Sequence, residues 1–134
     1  VAEIWRGGRF NPGVRTWICP PTRMDADRLR QEGLFAVFGA VGAHIEIPGC
    51  SLCMGNQARV PDGVTVFSTS TRNFDNRMGN GARVYLGSAE LAAVVSLLGR
   101  IPSVEVYAAL YRERIAPNRE SIYRTLRFHE TPEA

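Results

Sequence analysis

The chain has 134 residues, 45% of them hydrophobic, with sixteen arginines, no lysine and a net charge of +3. That size supports about one domain with a core, and no apolar run approaches the ~18–20 residues of a membrane helix. The positive charge is mild and its arginines are scattered rather than clustered, which weakens a nucleic-acid reading, and three cysteines are an odd number for a disulfide framework.

The chain opens at Val1 with a polar, Gly-rich stretch over Ile4–Phe10, which reads as the interior of a longer polypeptide. Residues 14–19 are rich in β-formers and predict a strand, ended by Pro20 and Pro21. Thr22 or Asp25 then caps a helix running to about Gln31, with Gly33 as its stop. Leu34–Phe38 is apolar and expected to be buried. Ala43–Ile47 sets His44 and Glu46 against Ala43, Ile45 and Ile47, which predicts a strand with one polar face.

Pro48 and Gly49 break that strand, and residues 50–63 read as a loop. Val64–Ser68 predicts a strand, 69–82 a second long loop and Val84–Leu86 a short strand. Ser88 caps a helix whose stretch Leu91–Leu98 is almost wholly apolar, with Gly99 and Pro102 after it. Ser103–Ile115 predicts a further helix and 119–127 a short last one, within a loosely ordered tail from 116 to 134. This order predicts a single partial α/β domain over 1–134. In such folds ligands gather beyond the carboxyl ends of strands, so both loops are expected to face one crevice at one end of the sheet.

The first loop carries Cys50 and Cys53 in a C-x-x-C spacing that serves zinc, thiol redox and iron–sulfur sites alike. Zinc wants four close ligands, and Cys19, His44 and His129 match no zinc module. A redox pair wants a helix start, which Gly55, Asn56 and Pro61 oppose. An iron–sulfur cluster tolerates an irregular, Gly-rich loop and fits best; an electron-transfer cluster would want four cysteines. The second loop carries Arg72 and Arg77, five apart, whose planar guanidinium forks suit carboxylates; read from composition alone they are surface charges in a solvated loop, the commoner case. Cys19 reads as a core thiol. His44 and Glu46 read as a solvated strand face, Arg59 as a brace of the cysteine loop and Arg83 as surface.

Together Pro48–Val60 and Ser68–Ala93 resemble the aconitase superfamily. The run Gly-Cys-Ser-Leu-Cys-Met-Gly-Asn-Gln-Ala-Arg at 49–59 and Pro-Pro-Thr-Arg-Met-Asp at 20–25 resemble its bacterial B branch most closely. The resemblance spans about residues 14–115 and implies a carboxy-terminal piece of an aconitase-type layered αβα domain with carboxy-terminal helices. It implies a 4Fe–4S hydro-lyase of the tricarboxylic acid cycle that interconverts citrate, cis-aconitate and isocitrate, and 2-methylisocitrate with 2-methyl-cis-aconitate. Cys50 and Cys53 would be two of three cluster ligands, the third lying outside this chain. One iron is then left open as a Lewis acid for the substrate hydroxyl.

By the same resemblance, Arg72 and Arg77 bind the tricarboxylate substrate, and no catalytic residue is assignable in this chain. The remaining domains of the enzyme are the expected partners, and the isolated chain is expected to be inactive. Other family members have asparagine before the first arginine; Thr71 stands here, in agreement with the B branch. A related dehydratase of isopropylmalate or homoaconitate, and RNA binding by the cluster-free form, are the alternatives. A cytoplasmic location without membrane contact is the default.

Overall fold

A computed structural model describes residues 1–49 and 59–123. Its elements are α1 (Ala2–Trp5), β1 (Trp17–Ile18), α2 (Arg23–Gln31), α3 (Leu34–Ala40), β2 (His44–Ile45), β3 (Thr65–Ser68), β4 (Arg83–Leu86), α4 (Ala89–Leu98) and α5 (Val104–Leu110). A π-helical turn (Tyr111–Ile115), a 3-10 turn (Ala116–Asn118) and α6 (Arg119–Ile122) follow. The fold is mixed α/β with parallel strand pairing, as expected. The expected last helix at 119–127 begins where predicted, but residues 124–134 lie outside the described ones.

Local chemistry explains where the helices start and stop. Thr22 Oγ1 accepts from the Asp25 backbone N–H (3.1 Å) and donates to Asp25 Oδ2 (2.6 Å), so the first turn of α2 is closed from both sides. Ser88 Oγ caps α4 through Leu91 N–H and Ser103 Oγ caps α5 through Val106 N–H. Gly99 ends α4 at φ 71°, a left-handed conformation in which a side chain would be strained. Exposed pairs Arg28–Glu32 and Arg30–Asp27 lie along α2, each worth a few tenths of a kcal/mol.

The apolar core is helical. Trp5 is 2% exposed and packs edge-on against Phe10 and Phe38, with ring centroids at 4.9 and 5.6 Å. Its indole N–H donates to the Ala93 carbonyl (3.1 Å) and Ser96 Oγ (2.9 Å) of α4, so the polar edge is satisfied inside the core. Ala2, Ile4, Val41, Ala93, Val94 and Ile115 complete the buried part of this cluster. The stretch that reads as polar and Gly-rich in sequence thus supplies the centre of the core. The expected burial of Leu34–Phe38 is met in full only at Phe38.

Among the described residues the strands form two separate parallel pairs, not one sheet. β1 pairs with β2 (Trp17 with His44, Ile18 with Ile45), and β3 pairs with β4 from Thr65–Arg83 to Ser68–Leu86. The strand expected at 43–47 is confined to His44–Ile45, and its apolar face is not buried: Ile45 is exposed and Ile47 is 73% exposed. Strand alternation identifies two faces but not which of them meets a core.

Candidate active site

The arginine loop is the connection between β3 and β4. Strands that run parallel need a crossover of a dozen residues or so, because the chain must return along the whole pair. Here residues 69–82 make that return without a helix. Lacking a regular ladder, the loop is held by side chains and isolated backbone bonds. Asn73 Nδ2 donates to the Val84 carbonyl (3.0 Å), tying the outgoing limb to β4. Asn76 Oδ1 accepts from Gly81 N–H (2.7 Å), and Arg77 N–H donates to the Phe74 carbonyl (3.2 Å).

Asn76 has φ 60°, alone among the described non-glycine residues in having a positive φ. Asparagine tolerates this conformation better than other side-chain-bearing residues. The turn it makes carries the next three residues, Arg77, Met78 and Gly79, into burial. Gly79 is required there by close approach, since a Cβ would stand 2.5 Å from the Val60 carbonyl oxygen.

The two arginines therefore differ. Arg72 is exposed, whereas Arg77 is 3% exposed with Nη1 donating to Ser70 Oγ at 2.7 Å. Ser70 Oγ also donates to the Arg72 backbone carbonyl (3.3 Å) and accepts from Ser68 Oγ (3.0 Å). The solvated-loop reading fits Arg72 by position and fails for Arg77.

Cys50 and Cys53 lie outside the described residues, as do 51–52 and 54–58. The residues flanking them are well tied. Gly49 N–H donates to the Pro20 carbonyl (2.9 Å), and Val60 N–H donates to the Met78 carbonyl (2.9 Å). The chain following the cysteine segment thus runs against the arginine loop, one residue beyond Arg77.

Cys19 is not the core thiol expected: it is half-buried and absent from the apolar cluster. Its Sγ lies 3.3 Å from the Ile47 carbonyl oxygen and 3.1 Å from that of Gly49, next to Cys50. His44 is exposed and stacks on Trp17 at 5.8 Å, Glu46 is half-buried, and Arg59 and Arg83 are exposed. Among the described residues no group of three or more His, Cys, Asp or Glu side chains could hold a metal ion. No helix among them is long and apolar enough to cross a membrane.

Two features of the loop escape a reading by residue type. Ser70 and Asn76 look like ordinary loop residues, although a hydroxyl run (Ser68 to Thr71) beside two arginines was a signal for the first. An Asn directly before Arg77, with Gly79 soon after, was a signal for the second.

Residues 1–99 match the Aconitase family (aconitate hydratase). The chain is 68% identical over 130 residues to aconitate hydratase B of Synechocystis sp., covering 97% of this chain and 15% of that protein. It is 59% identical over 117 residues to aconitate hydratase B of Escherichia coli, covering 87% of this chain and 13% of that protein. Against the 3-isopropylmalate dehydratase large subunit of Bacillus cereus it is 38% identical over 105 residues, covering 78% of this chain and 23% of that protein. The chain thus spans about one seventh of the length of the aconitate hydratases it matches.

Proposed function

The chain belongs to the aconitase family, and from that premise we propose that it forms one wall of the active site of a hydro-lyase interconverting citrate, cis-aconitate and isocitrate, and also 2-methylisocitrate with 2-methyl-cis-aconitate. The observation that carries this reading is Arg77, a guanidinium 3% exposed and anchored on Ser70 in the loop that leaves the carboxyl end of β3. A cation held in that setting suits a carboxylate, which takes two parallel hydrogen bonds from the fork. Higher identity to the aconitate hydratases than to the isopropylmalate dehydratase supports a tricarboxylate over the isopropylmalate or homoaconitate alternative.

The cofactor implied is a 4Fe–4S cluster, with Cys50 and Cys53 as two ligands and a third cysteine from the rest of an aconitase-type polypeptide. The donor chemistry fits: two cysteine thiolates in C-x-x-C spacing, with Gly49 before them and Val60 after them each fixed by a backbone bond. Such a cluster supplies a Lewis-acidic iron for the substrate hydroxyl. The work of this chain's own residues is positional. Arg77 presents a fixed fork, Arg72 presents a solvent-facing cation from the same loop, and together they neutralise and align substrate carboxylates. The catalytic base belongs to the remaining domains, so the isolated chain has no activity. RNA binding by a cluster-free form has less support, because Arg6, Arg28, Arg30 and Arg114 each pair with a neighbouring carboxylate.

The test places this chain in the full-length Synechocystis aconitate hydratase B in exchange for its matching stretch. Arg77→Lys is expected to lower kcat/KM by about 10- to 100-fold, the scale of one or two lost charge-assisted bonds, with Arg72→Lys smaller and the visible cluster absorbance retained in both. Wild-type kinetics in both variants would return these arginines to a structural role.

A further inference from the structure

The Ser70 hydroxyl is where the two arginines meet, and the family resemblance gives it no task. A serine hydroxyl has one proton to donate and two lone pairs to accept with. All three are in use here. The proton goes to the Arg72 backbone carbonyl (3.3 Å), and the lone pairs take Arg77 Nη1–H (2.7 Å) and the Ser68 hydroxyl (3.0 Å). The Ser70 backbone N–H in turn donates to Ser68 Oγ (3.2 Å), so the hydroxyl is held on the end of β3. One atom thereby links the strand end, the backbone of the exposed arginine and the side chain of the buried one.

The link to Arg77 is charge-assisted, and Arg77 is buried, so bulk water is poorly placed to take the place of a missing hydroxyl. We infer that Ser70 is a positioning residue that sets the aim of Arg77 and its spacing from Arg72, and so governs how tightly a polycarboxylate is gripped without touching it. This rests on the reading of Arg72 and Arg77 as substrate ligands. The grip it controls applies to ground state and transition state alike, so its loss belongs mainly in KM. Threonine, which keeps the hydroxyl, is the conservative replacement, and cysteine keeps the size with a weak acceptor.

The experiment uses the same full-length Synechocystis enzyme carrying this chain, with cluster absorbance reporting intact assembly. Ser70→Ala is expected to raise KM for citrate and isocitrate about 10-fold or more, with kcat within about 3-fold of the parent. Ser70→Thr recovers most of the loss and Ser70→Cys falls between. In an Arg77→Ala background, Ser70→Ala adds no more than about 2-fold, because the pair acts as one unit. The inference is overturned by an unchanged KM in Ser70→Ala, by Ser70→Thr as impaired as alanine, or by full additivity with Arg77→Ala. A different failure, Arg77→Ala with parental KM, would instead sink the substrate-ligand reading on which the inference stands. Should the alanine variant lose its cluster, the threonine and cysteine pair decides the question by itself.

Discussion

The helical body around Trp5 and the crossover loop between β3 and β4 hold their shapes in opposite ways. Trp5 is fixed by apolar contact on all sides, and its one polar group is satisfied by α4. The crossover buries Met78, but the contacts that tie it down are polar. It stands on Asn73, Asn76, Ser70 and two backbone bonds from the segment at 60–63, Val60 to Met78 and Gly63 to Asn80. The body can absorb small polar changes but not a lost ring. The loop tolerates changes at its exposed tips but not at the few atoms that tie it down. Burying a cation such as Arg77 is unfavourable unless its geometry is enforced, and the polar scaffold provides that enforcement.

This contrast makes graded predictions for the 134-residue chain. Trp5→Ala should have the largest effect, about 3–5 kcal/mol of stability, since it removes a buried ring and leaves a cavity among α1, α3 and α4. A urea unfolding midpoint unchanged by that substitution would show that the core lies elsewhere. Gly79→Ala should have an intermediate effect, about 1–3 kcal/mol by overpacking against the Val60 carbonyl. Amide exchange should speed up at Val60 and Gly63 while the α4 amides stay protected. Equal acceleration in α4 would mean that loop and body unfold together.

The smallest effect concerns the edge of the helical body, where the Tyr123 hydroxyl bonds Glu90 of α4. That hydroxyl holds the Glu90 carboxyl below its ordinary range, with burial opposing. A depressed carboxylate pKa contributes stability that is present in full above the unfolded-state value and is lost as pH falls through the folded value. Tyr123→Phe should therefore narrow the stability difference between neutral and mildly acid pH by a small amount and change nothing in the arginine loop. An unaltered pH dependence would show that this bond does not form in solution.

Much of the local structure was legible from residue types. Thr22 and Ser88 cap helices where expected, Ser103 caps the helix expected from that residue on, Gly33 and Gly99 stop helices, and the strands at 65–68 and 83–86 fall close to the predicted ranges. These signals are local: a cap bonds a backbone N–H three residues away, and a left-handed stop needs only its own φ. The helix predicted at 103–115 is present, but its last turn widens to π geometry at Tyr111–Ile115, ending on the fully buried Ile115. Helical periodicity alone does not foresee such a turn.

What the sequence by itself determined is therefore the order of elements, their ends and, through two specific motifs, the family. Tertiary structure alone decided that Trp5 centres the core, that Ile45 and Ile47 face outward, and that Arg77 is buried while Arg72 is not. The two arginines are the same residue type in the same loop, five positions apart, so neither composition nor spacing separates them. They are separated by the left-handed turn at Asn76 and by the parallel pairing of β3 with β4, which obliges the loop to run back along the strands. That pairing joins Thr65 to Arg83 across eighteen positions, and a contact of such range is set by the packing of the whole chain.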